Sequence, residues 1–271
     1  MKMFKMFCTG LVGVLMTANM AVASSSIVIK GSTTVLPITQ ATAEAYMKKR
    51  PDVNISISGG GSGEGVKAMI DKTTDIGNSS RDLKTEEIKR AEQNGVYPVV
   101  HTVAIDAIIP IVNPRNKVNN LTVDQLARIY KGEVTNWKDV GGDDMKIVVI
   151  SRDSSSGTFE TWGELVLNKA KVTPRAQMQA SNGAIVQSVS KNRFAIGYIG
   201  LGYINKSVKP LSVNGVVPSA KTAISKEYPV SRPLYKVTNG EPKGDVADYL
   251  NFVMSKEGQK IILETGFVPV K

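Results

Sequence analysis

Short apolar runs and amphipathic stretches alternate along the chain. In the first third, strand-like runs lie at Ile27–Ile29, Val53–Ile57 and Thr74–Gly77, and helix-like stretches separate them. Strands carry apolar residues at every position or every second position, whereas helices repeat them every three to four residues. Strands alternating with helices predict an α/β fold with parallel strands. The predicted helices span residues 37–49, 65–72, 123–130, 158–170, 182–190, 245–254 and 256–265, with a further helix after Thr85.

One apolar stretch, Val99–Val112, is too long for an ordinary strand. We predict that it crosses from one domain to another and that a second strand, over residues 229–237, returns. The predicted fold class is therefore α/β with two lobes. Each lobe has a mostly parallel sheet flanked by helices, and two crossing hinge strands join the lobes. Lobe I would be discontinuous (residues 24–107 and 228–271), and lobe II would span residues 108–227.

The N terminus has the features of a secretory signal peptide. Lys2 and Lys5 precede a short apolar run, and Ala21-Val22-Ala23 fits the small-x-small cleavage pattern. We expect residues 1–23 to be removed and the mature chain to begin at Ser24. The apolar run is too short to span a bilayer. Cys8 lies before this run and not at the cleavage point, so we expect a soluble, exported protein that is not a lipoprotein.

The composition excludes several classes of chemistry. Cys8 is the only cysteine and His101 the only histidine, so the mature chain can form no disulfide and no histidine-rich metal site. We interpret His101 as structural. The chain has 34 Lys and Arg against 24 Asp and Glu, for a net charge of +10. These basic residues are scattered without interleaved aromatic residues, so we expect no nucleic acid partner, although a basic surface suits an anionic ligand.

Three turns rich in Gly, Ser and Thr each lead into a predicted helix. They are Gly31–Thr34, Gly59–Gly63 and Ser154–Thr158, the last preceded by Arg152. A helix N terminus carries unpaired N–H groups and a partial positive charge, and small residues let an oxyanion approach them. Two turns fall in lobe I and one in lobe II, so a cleft between the lobes would bring them together. The sequence therefore predicts a site for a tetrahedral oxyanion.

In this order the motifs resemble those of the periplasmic phosphate-binding proteins of bacterial ABC uptake systems, in the shorter branch of that family. The resemblance covers residues 27–270, and further matches are Asp75–Arg81, Asn136-Trp137, Gly141-Gly142 and Ile196–Tyr198. It implies a type II-like periplasmic-binding-protein fold whose two lobes close on inorganic phosphate. It also implies a periplasmic monomer that delivers phosphate to an ABC permease in the inner membrane, with no enzymatic activity and no cofactor or metal.

The resemblance assigns ligand-binding roles by position. Thr33 and Thr34 would bind phosphate through N–H and hydroxyl groups, Ser62 would donate a hydroxyl, and Arg152 would form a forked contact. Ser156, Gly157 and Thr158 would donate at the helix start. The complete predicted ligand set is Ser32, Thr33, Thr34, Ser62, Ser80, Asp106, Arg152, Ser154, Ser156, Gly157 and Thr158.

One departure from the family concerns the acceptor for the proton of phosphate. Many members carry carboxylates where this chain has Ser80 and Ser154. Such a carboxylate accepts the proton that phosphate has and sulfate lacks. We interpret Asp106, an acid inside an apolar strand, as the replacement; the alternative is that Asp106 pairs with an internal Lys or Arg. Arg81 is interpreted as pinning its loop to a neighbouring acid, and Trp137 and Trp162 as packing residues.

Other functions stay open at this point. A cage of neutral donors would also suit sulfate, molybdate or tungstate. A secreted phosphatase or serine hydrolase is disfavoured, because Glu64 replaces the last glycine of a Gly-x-Ser-x-Gly elbow around Ser62 and no two-metal ligand set is visible. A role in surface adhesion or signalling is not excluded by the sequence.

The leader generates the first prediction. Because the cleavage pattern ends at Ala23, the exported protein should have the intact mass of residues 24–271, as measured by mass spectrometry. A product that keeps the leader, or that begins at a lipid-modified Cys8, would contradict this prediction.

Overall fold

The chain folds into two halves that share a continuous sheet. The computed structural model describes residues 25–270, so the predicted signal peptide and the expected start at Ser24 lie outside the described residues. In the first half three strands lie parallel in the order β2, β1, β3. The elements of this half are β1 (Ser25–Gly31), α1 (Leu36–Lys49), β2 (Val53–Gly59), α2 (Ser62–Ile70), β3 (Ile76–Ser79) and α3 (Thr85–Gln93).

The strand β4 (Pro98–Val112) carries the chain into the second half. The elements that follow are β5 (Asn120–Leu121), α4 (Val123–Lys131), β6 (Val148–Arg152), α5 (Gly157–Leu165), β7 (Gln177–Gln179), α6 (Asn182–Lys191), β8 (Ala195–Gly200), β9 (Lys209–Pro210), β10 (Ser212–Val213) and α7 (Ala220–Ile224). Here β7, β6 and β8 are parallel, and the end of β4 lies antiparallel to β8.

The strand β11 (Ser231–Asn239) returns to the first half and runs antiparallel between β3 and β4. The chain ends with α8 (Gly244–Met254), α9 (Lys256–Glu264) and β12 (Val268–Pro269). The sheet therefore follows the order β2-β1-β3-β11-β4-β8-β6-β7. The predicted class, an α/β fold with parallel strands in two halves and two crossing strands, is confirmed.

Two hydrophobic cores flank the crossing strands. Val103 and Ala104 of β4 pack in the first core, whereas Ile108 and the residues after it pack in the second. On the return, Val230 still belongs to the second core and Leu234 to the first. This packing is compatible with lobes divided near residues 107 and 228, but their movement as separate bodies stays a prediction.

The structure differs from the sequence prediction mainly at element ends. Helix α5 stops at Leu165, short of the predicted residue 170, because Asn168 and Lys169 have positive φ values of 47° and 65°. The two- and three-residue strands and the short helix α7 went unpredicted, since so few residues show no periodicity. Within residues 25–270 no helix is both long and apolar enough to cross a membrane.

An aromatic cluster supports the end of β6. Trp162 stacks on Tyr198 with ring centroids 4.5 Å apart, and Tyr130 meets Trp162 edge-on at 5.1 Å. The Tyr198 hydroxyl accepts a hydrogen bond from the N–H of Arg152 at 3.2 Å. Both tryptophans are fully buried, as expected for packing residues. The cluster fixes the position from which the Arg152 side chain extends.

Helix α2 lies against β1 and β3 through a glycine contact. A Cβ atom on Gly65 would lie 2.8 Å from three atoms, namely Asn78 O, Gly31 Cα and Lys30 O. Gly163, in the middle of α5, has no such neighbour within 4 Å. Of these two glycines, Gly65 is required by close packing and Gly163 is not.

We expect Gly65→Ala to lower the free energy of unfolding by about 1–3 kcal/mol, because backbone must move to admit the methyl group. The matched control Gly163→Ala should raise it by up to about 1 kcal/mol through helix propensity alone. Denaturant titration of both variants measures the difference, and equal effects would contradict the close approach of α2.

Candidate anion-binding site

The three predicted turns meet where the two halves of the sheet face each other. Thr34 Oγ1 and Thr158 Oγ1 share a hydrogen bond of 2.9 Å. The Gly63 N–H donates to Ser155 O at 2.9 Å, and Ser155 Oγ donates to Gly60 O at 2.8 Å. Each of these bonds joins the first half of the chain to the second. The structure thus has its two halves in contact around this cluster.

The first half contributes a group of buried serine hydroxyls at the strand ends. Ser32 Oγ donates to Ser80 Oγ at 2.9 Å, and Ser62 Oγ lies 3.2 Å from Ser80 Oγ. The Ser80 N–H donates to Ser62 Oγ at 2.9 Å. All three side chains are buried. Ser32 follows β1, Ser80 follows β3 and Ser62 begins α2, so the carboxyl ends of parallel strands bring them together.

The second half contributes the start of α5. Ser156 caps this helix by accepting a hydrogen bond from the Phe159 N–H at 3.2 Å. Gly157 is the first helical residue, and a Cβ atom there would lie 2.3 Å from Ser62 Oγ. Glycine therefore lets the helix start meet the serine cluster. The N–H groups of this first turn have no partner within the helix and can bind an anion.

Arg152 brings an incompletely paired cation to the cluster. Its side chain is 1% exposed, Nε donates to Gln179 O at 3.0 Å and Nη2 donates to Ala180 O at 3.0 Å. Nη1 is buried and has no partner among residues 25–270. Burial lowers the pKa of Arg152, and the neighbouring charge of Arg232 lowers it further. A buried guanidinium with a free donor indicates a missing acceptor.

The structure places a second buried arginine, Arg232 of β11, at the centre of the cluster. Its Nε and Nη2 donate to Asp106 Oδ2 at 3.1 and 3.0 Å. Nη1 donates to Ser80 O at 3.0 Å, and Nη2 to Thr158 Oγ1 at 2.9 Å. The sequence analysis missed this residue. Its signal was a charge inside an apolar crossing strand, as at Asp106, its register partner on β4.

Asp106 lies in the cluster and is paired within the protein, so the role predicted for it as a ligand acceptor is not tested by this structure. Its carboxylate is fully buried, pairs with Arg232 and accepts the Leu201 N–H at 2.8 Å. Burial raises the pKa of Asp106, and attraction to Arg232 opposes that rise. This ion pair is the alternative that the sequence left open. Both oxygens already accept hydrogen bonds from the protein, so Asp106 is engaged in this conformation, and its role as an acceptor for a ligand proton stays a prediction.

Two further residues of the second half, Asn182 and Tyr203, contact the turn Gly31–Thr34. Asn182 Nδ2 donates to Thr33 Oγ1 at 3.2 Å and to Thr34 Oγ1 at 3.1 Å. The Tyr203 hydroxyl donates to Thr33 O. Neither residue was predicted, although Ser181-Asn182-Gly183 is a fourth polar turn that precedes a helix and matches the pattern of the other three.

Ser154 is exposed and does not join the cluster, so its role as a ligand stays a prediction without support from this conformation. Asp153 Oδ1 accepts a hydrogen bond from the Ser155 N–H at 2.9 Å, and in this turn Ser154 is exposed. Arg81 has the structural role that was expected of it: it pairs with Glu87 at 2.7 Å and lies 3.0 Å from Glu160 across the interface.

The cluster is suited to binding an anion. Arg232 is paired with Asp106, whereas Arg152 donates only to backbone carbonyls and is surrounded by hydroxyl donors of the neighbouring turns. Within residues 25–270 no group of three or more His, Cys, Asp or Glu could hold a metal ion. His101 hydrogen-bonds Thr238 at 2.9 Å and lies five residues from Asp106 along β4, a strand distance of about 16 Å.

Comparison with known proteins agrees with this geometry. Residues 18–257 match the model of the PBP superfamily domain. The fold and site therefore define a two-lobed binding protein of that superfamily. The chain is 38% identical over 255 residues to the phosphate-binding protein PstS of Borreliella burgdorferi, covering 90% of this chain and 89% of that protein. The PstS protein of Bacillus subtilis is 34% identical over 250 residues, with 92% and 82% covered.

A solved structure agrees with these relatives. It is a putative phosphate ABC transporter substrate-binding protein from Clostridium perfringens with bound phosphate. It superimposes with a TM-score of 0.86 at 38% identity, over 91% of this chain and 100% of that one. The chain belongs to the family of PstS phosphate-binding proteins.

The buried ion pair generates a stability prediction. We expect Asp106→Leu and Arg232→Met each to lower the free energy of unfolding by about 3–5 kcal/mol, because each leaves the partner charge buried and unpaired. The double variant should recover most of that loss, since it buries no charge. Denaturant titration of the two single variants and the double variant measures the coupling, and additive losses would contradict it.

Proposed function

We propose that this protein captures inorganic phosphate between its two lobes outside the cytoplasm and delivers it to an ABC permease. The observation that carries the proposal is the buried Arg152 Nη1, which has no acceptor among the described residues. The other two nitrogens of the same guanidinium, Nε and Nη2, each donate to a backbone carbonyl. An anion between the lobes would supply that acceptor. The family of the chain and its phosphate-bound structural neighbour indicate which anion this is.

The proposed contacts divide into charge and neutral donors. Arg152 would bind one phosphate oxygen through Nη1, while Gly157 and Thr158 would donate N–H groups at the start of α5. Thr33 and Thr34 would donate from the opposing turn, and Ser62 would donate its hydroxyl. A second set of hydroxyls would orient these donors through hydrogen bonds, namely those of Ser32, Ser80 and Ser156. Arg232 would remain with Asp106 and add positive charge without being a direct ligand.

The mechanism is closure of the lobes with no chemical step. The hydrogen bonds between Thr34 and Thr158, and between Gly63 and Ser155, form only when the two halves meet. The crossing strands β4 and β11 would act as the hinge. Closure removes water from the site, which strengthens every contact between the donors and the anion. A hydrolase would need a base beside a serine, and none lies within the cluster.

The remaining proposals concern location and partners. The leader would be removed during export, which yields a soluble periplasmic protein with no lipid anchor. The protein would act as a monomer, and its closed form would dock on the permease. These proposals rest on the sequence features of the leader and on the family.

Selectivity among oxyanions is expected to be moderate. Because Asp106 is engaged by Arg232 and Leu201, the proton of phosphate would be accepted by a serine hydroxyl. A hydroxyl accepts that proton but, unlike a free carboxylate, does not repel sulfate by charge. Phosphate should therefore bind more tightly than sulfate, with a smaller ratio of affinities than a free carboxylate would impose.

We expect Arg152→Met to weaken phosphate binding about 100-fold, because a buried charge-assisted contact is lost. The matched control Arg115→Met removes an exposed arginine of the same lobe and should leave affinity unchanged. Calorimetric titration with phosphate and then with sulfate measures both the loss and the selectivity. Unchanged affinity in Arg152→Met, or preference for sulfate or molybdate in the unaltered protein, would overturn the proposal.

A further inference from the structure

Lys236 is a buried cation outside the predicted site. It lies on β11 and is fully buried, with Nζ donating to Thr39 Oγ1 at 2.9 Å and to Asn78 Oδ1 at 3.2 Å. The ring of Tyr249 lies 5.4 Å from Nζ. Among residues 25–270 no carboxylate forms an ion pair with it. An ammonium with only neutral partners is costly to bury, and neither the packing of the first core nor the strand pairing requires one.

One hydrogen-bond partner of Lys236 also bonds to the turn Gly31–Thr34. Asn78 O accepts the N–H of Ser32 at 2.9 Å, so the residue that holds the ammonium also holds the turn. Thr39 Oγ1 donates to Val35 O at 3.1 Å, at the start of α1. The charge therefore lies behind the turn, at the positive end of the α1 dipole. Because Lys236 is buried, its field is weakly screened and adds to that of Arg152 at the site.

The groups that face Lys236 are neutral near pH 7, so Lys236 itself is the group that titrates there. Burial lowers the pKa of Lys236 to about 7. From α8, Tyr249 has its pKa raised by burial; from β4, the register partner His101 has its pKa lowered by burial. Both are therefore neutral near pH 7. The side chains that face it from α1 and β3, Thr39 and Asn78, do not titrate.

We propose that Lys236 is a positioning residue of the phosphate site, whose buried charge strengthens anion binding and whose proton is taken up when the anion binds. This inference rests on the proposed function. A bound anion favours the protonated amine, so binding raises the pKa of Lys236 and draws a proton from solvent. Affinity should then fall as the pH rises through the pKa of Lys236.

The same residue should limit the stability of the unliganded protein. The folded-state pKa of Lys236 lies below the usual value of 10.5. Between the two values the unfolded chain binds more protons, so the contribution of Lys236 to stability rises with pH in that window. Lys236→Met removes a buried charge and should leave the unliganded protein at least as stable near neutral pH, while binding phosphate more weakly.

The test is calorimetric titration of the mature protein with inorganic phosphate in two buffers of different ionisation enthalpy. The difference gives the number of protons taken up. Phosphate titrates by itself, so each value is compared with that of Lys236→Met under the same conditions. We expect the variant to take up fewer protons and, near pH 6, to bind phosphate about tenfold more weakly.

The matched control is Lys209→Met. Burial also lowers the pKa of Lys209, which donates to Asn119 Oδ1 at 2.9 Å in the second half, outside the cluster. This variant should match the unaltered protein in both proton uptake and affinity. If Lys209→Met reduced proton uptake and phosphate affinity as much as Lys236→Met does, a general effect of removing a lysine would explain both variants, and our inference would be wrong.

A second variant keeps the inference testable if Lys236→Met does not fold. In protein with ¹³C-labelled lysine, the signal missing from Lys236→Arg identifies Lys236, whose pKa can then be followed with and without phosphate. A pKa that rises on binding supports the inference, and an unchanged pKa overturns it. Absence of phosphate binding by the unaltered protein would instead refute the proposed function, so the two failures are distinct.

Discussion

The ion pair between Asp106 and Arg232 is the interaction on which the site depends. The two residues face each other on the crossing strands, at the point where the chain leaves one core for the other. Arg232 also donates to Ser80 of the first half and Thr158 of the second, so one guanidinium connects the sheet to both rims of the cleft. Without Asp106 this buried charge would have no counter-ion, and without Arg232 the hydroxyls would lose their common partner.

Around that pair the site combines a surplus of buried positive charge with many neutral donors. Arg152 has one donor without a partner among residues 25–270, and the start of α5 lies against the serine cluster, where its first N–H groups can bind an anion. Lys236 adds a further buried positive charge behind the turn Gly31–Thr34. A buried charge without a counter-ion is costly, so an anion bound as proposed would offset the cost at Arg152 and Lys236.

Local sequence patterns were sufficient to predict most of the fold and several of the site residues. Polar turns before helices identified Thr34, Ser62 and Thr158, because a helix start has the same chemistry wherever it lies. The long and mostly apolar run at β4 identified the crossing strand. Arg232 and Asn182 were missed although each had a signal, since nothing in one strand or one turn tells which distant residue it will face. The exposure of Ser154 follows from the single hydrogen-bonded turn at Asp153.

What the sequence by itself determined is the set of short-range features, namely helix starts and strand periodicity. These depend on neighbours within a few positions along the chain. The tertiary structure alone decided that Asp106 pairs with Arg232 and that, among residues 25–270, Arg152 has a donor without a partner and Lys236 no acid to pair with. Pairing, burial and the resulting pKa values are set by contacts between residues from about 27 to almost 200 positions apart, which no local pattern encodes.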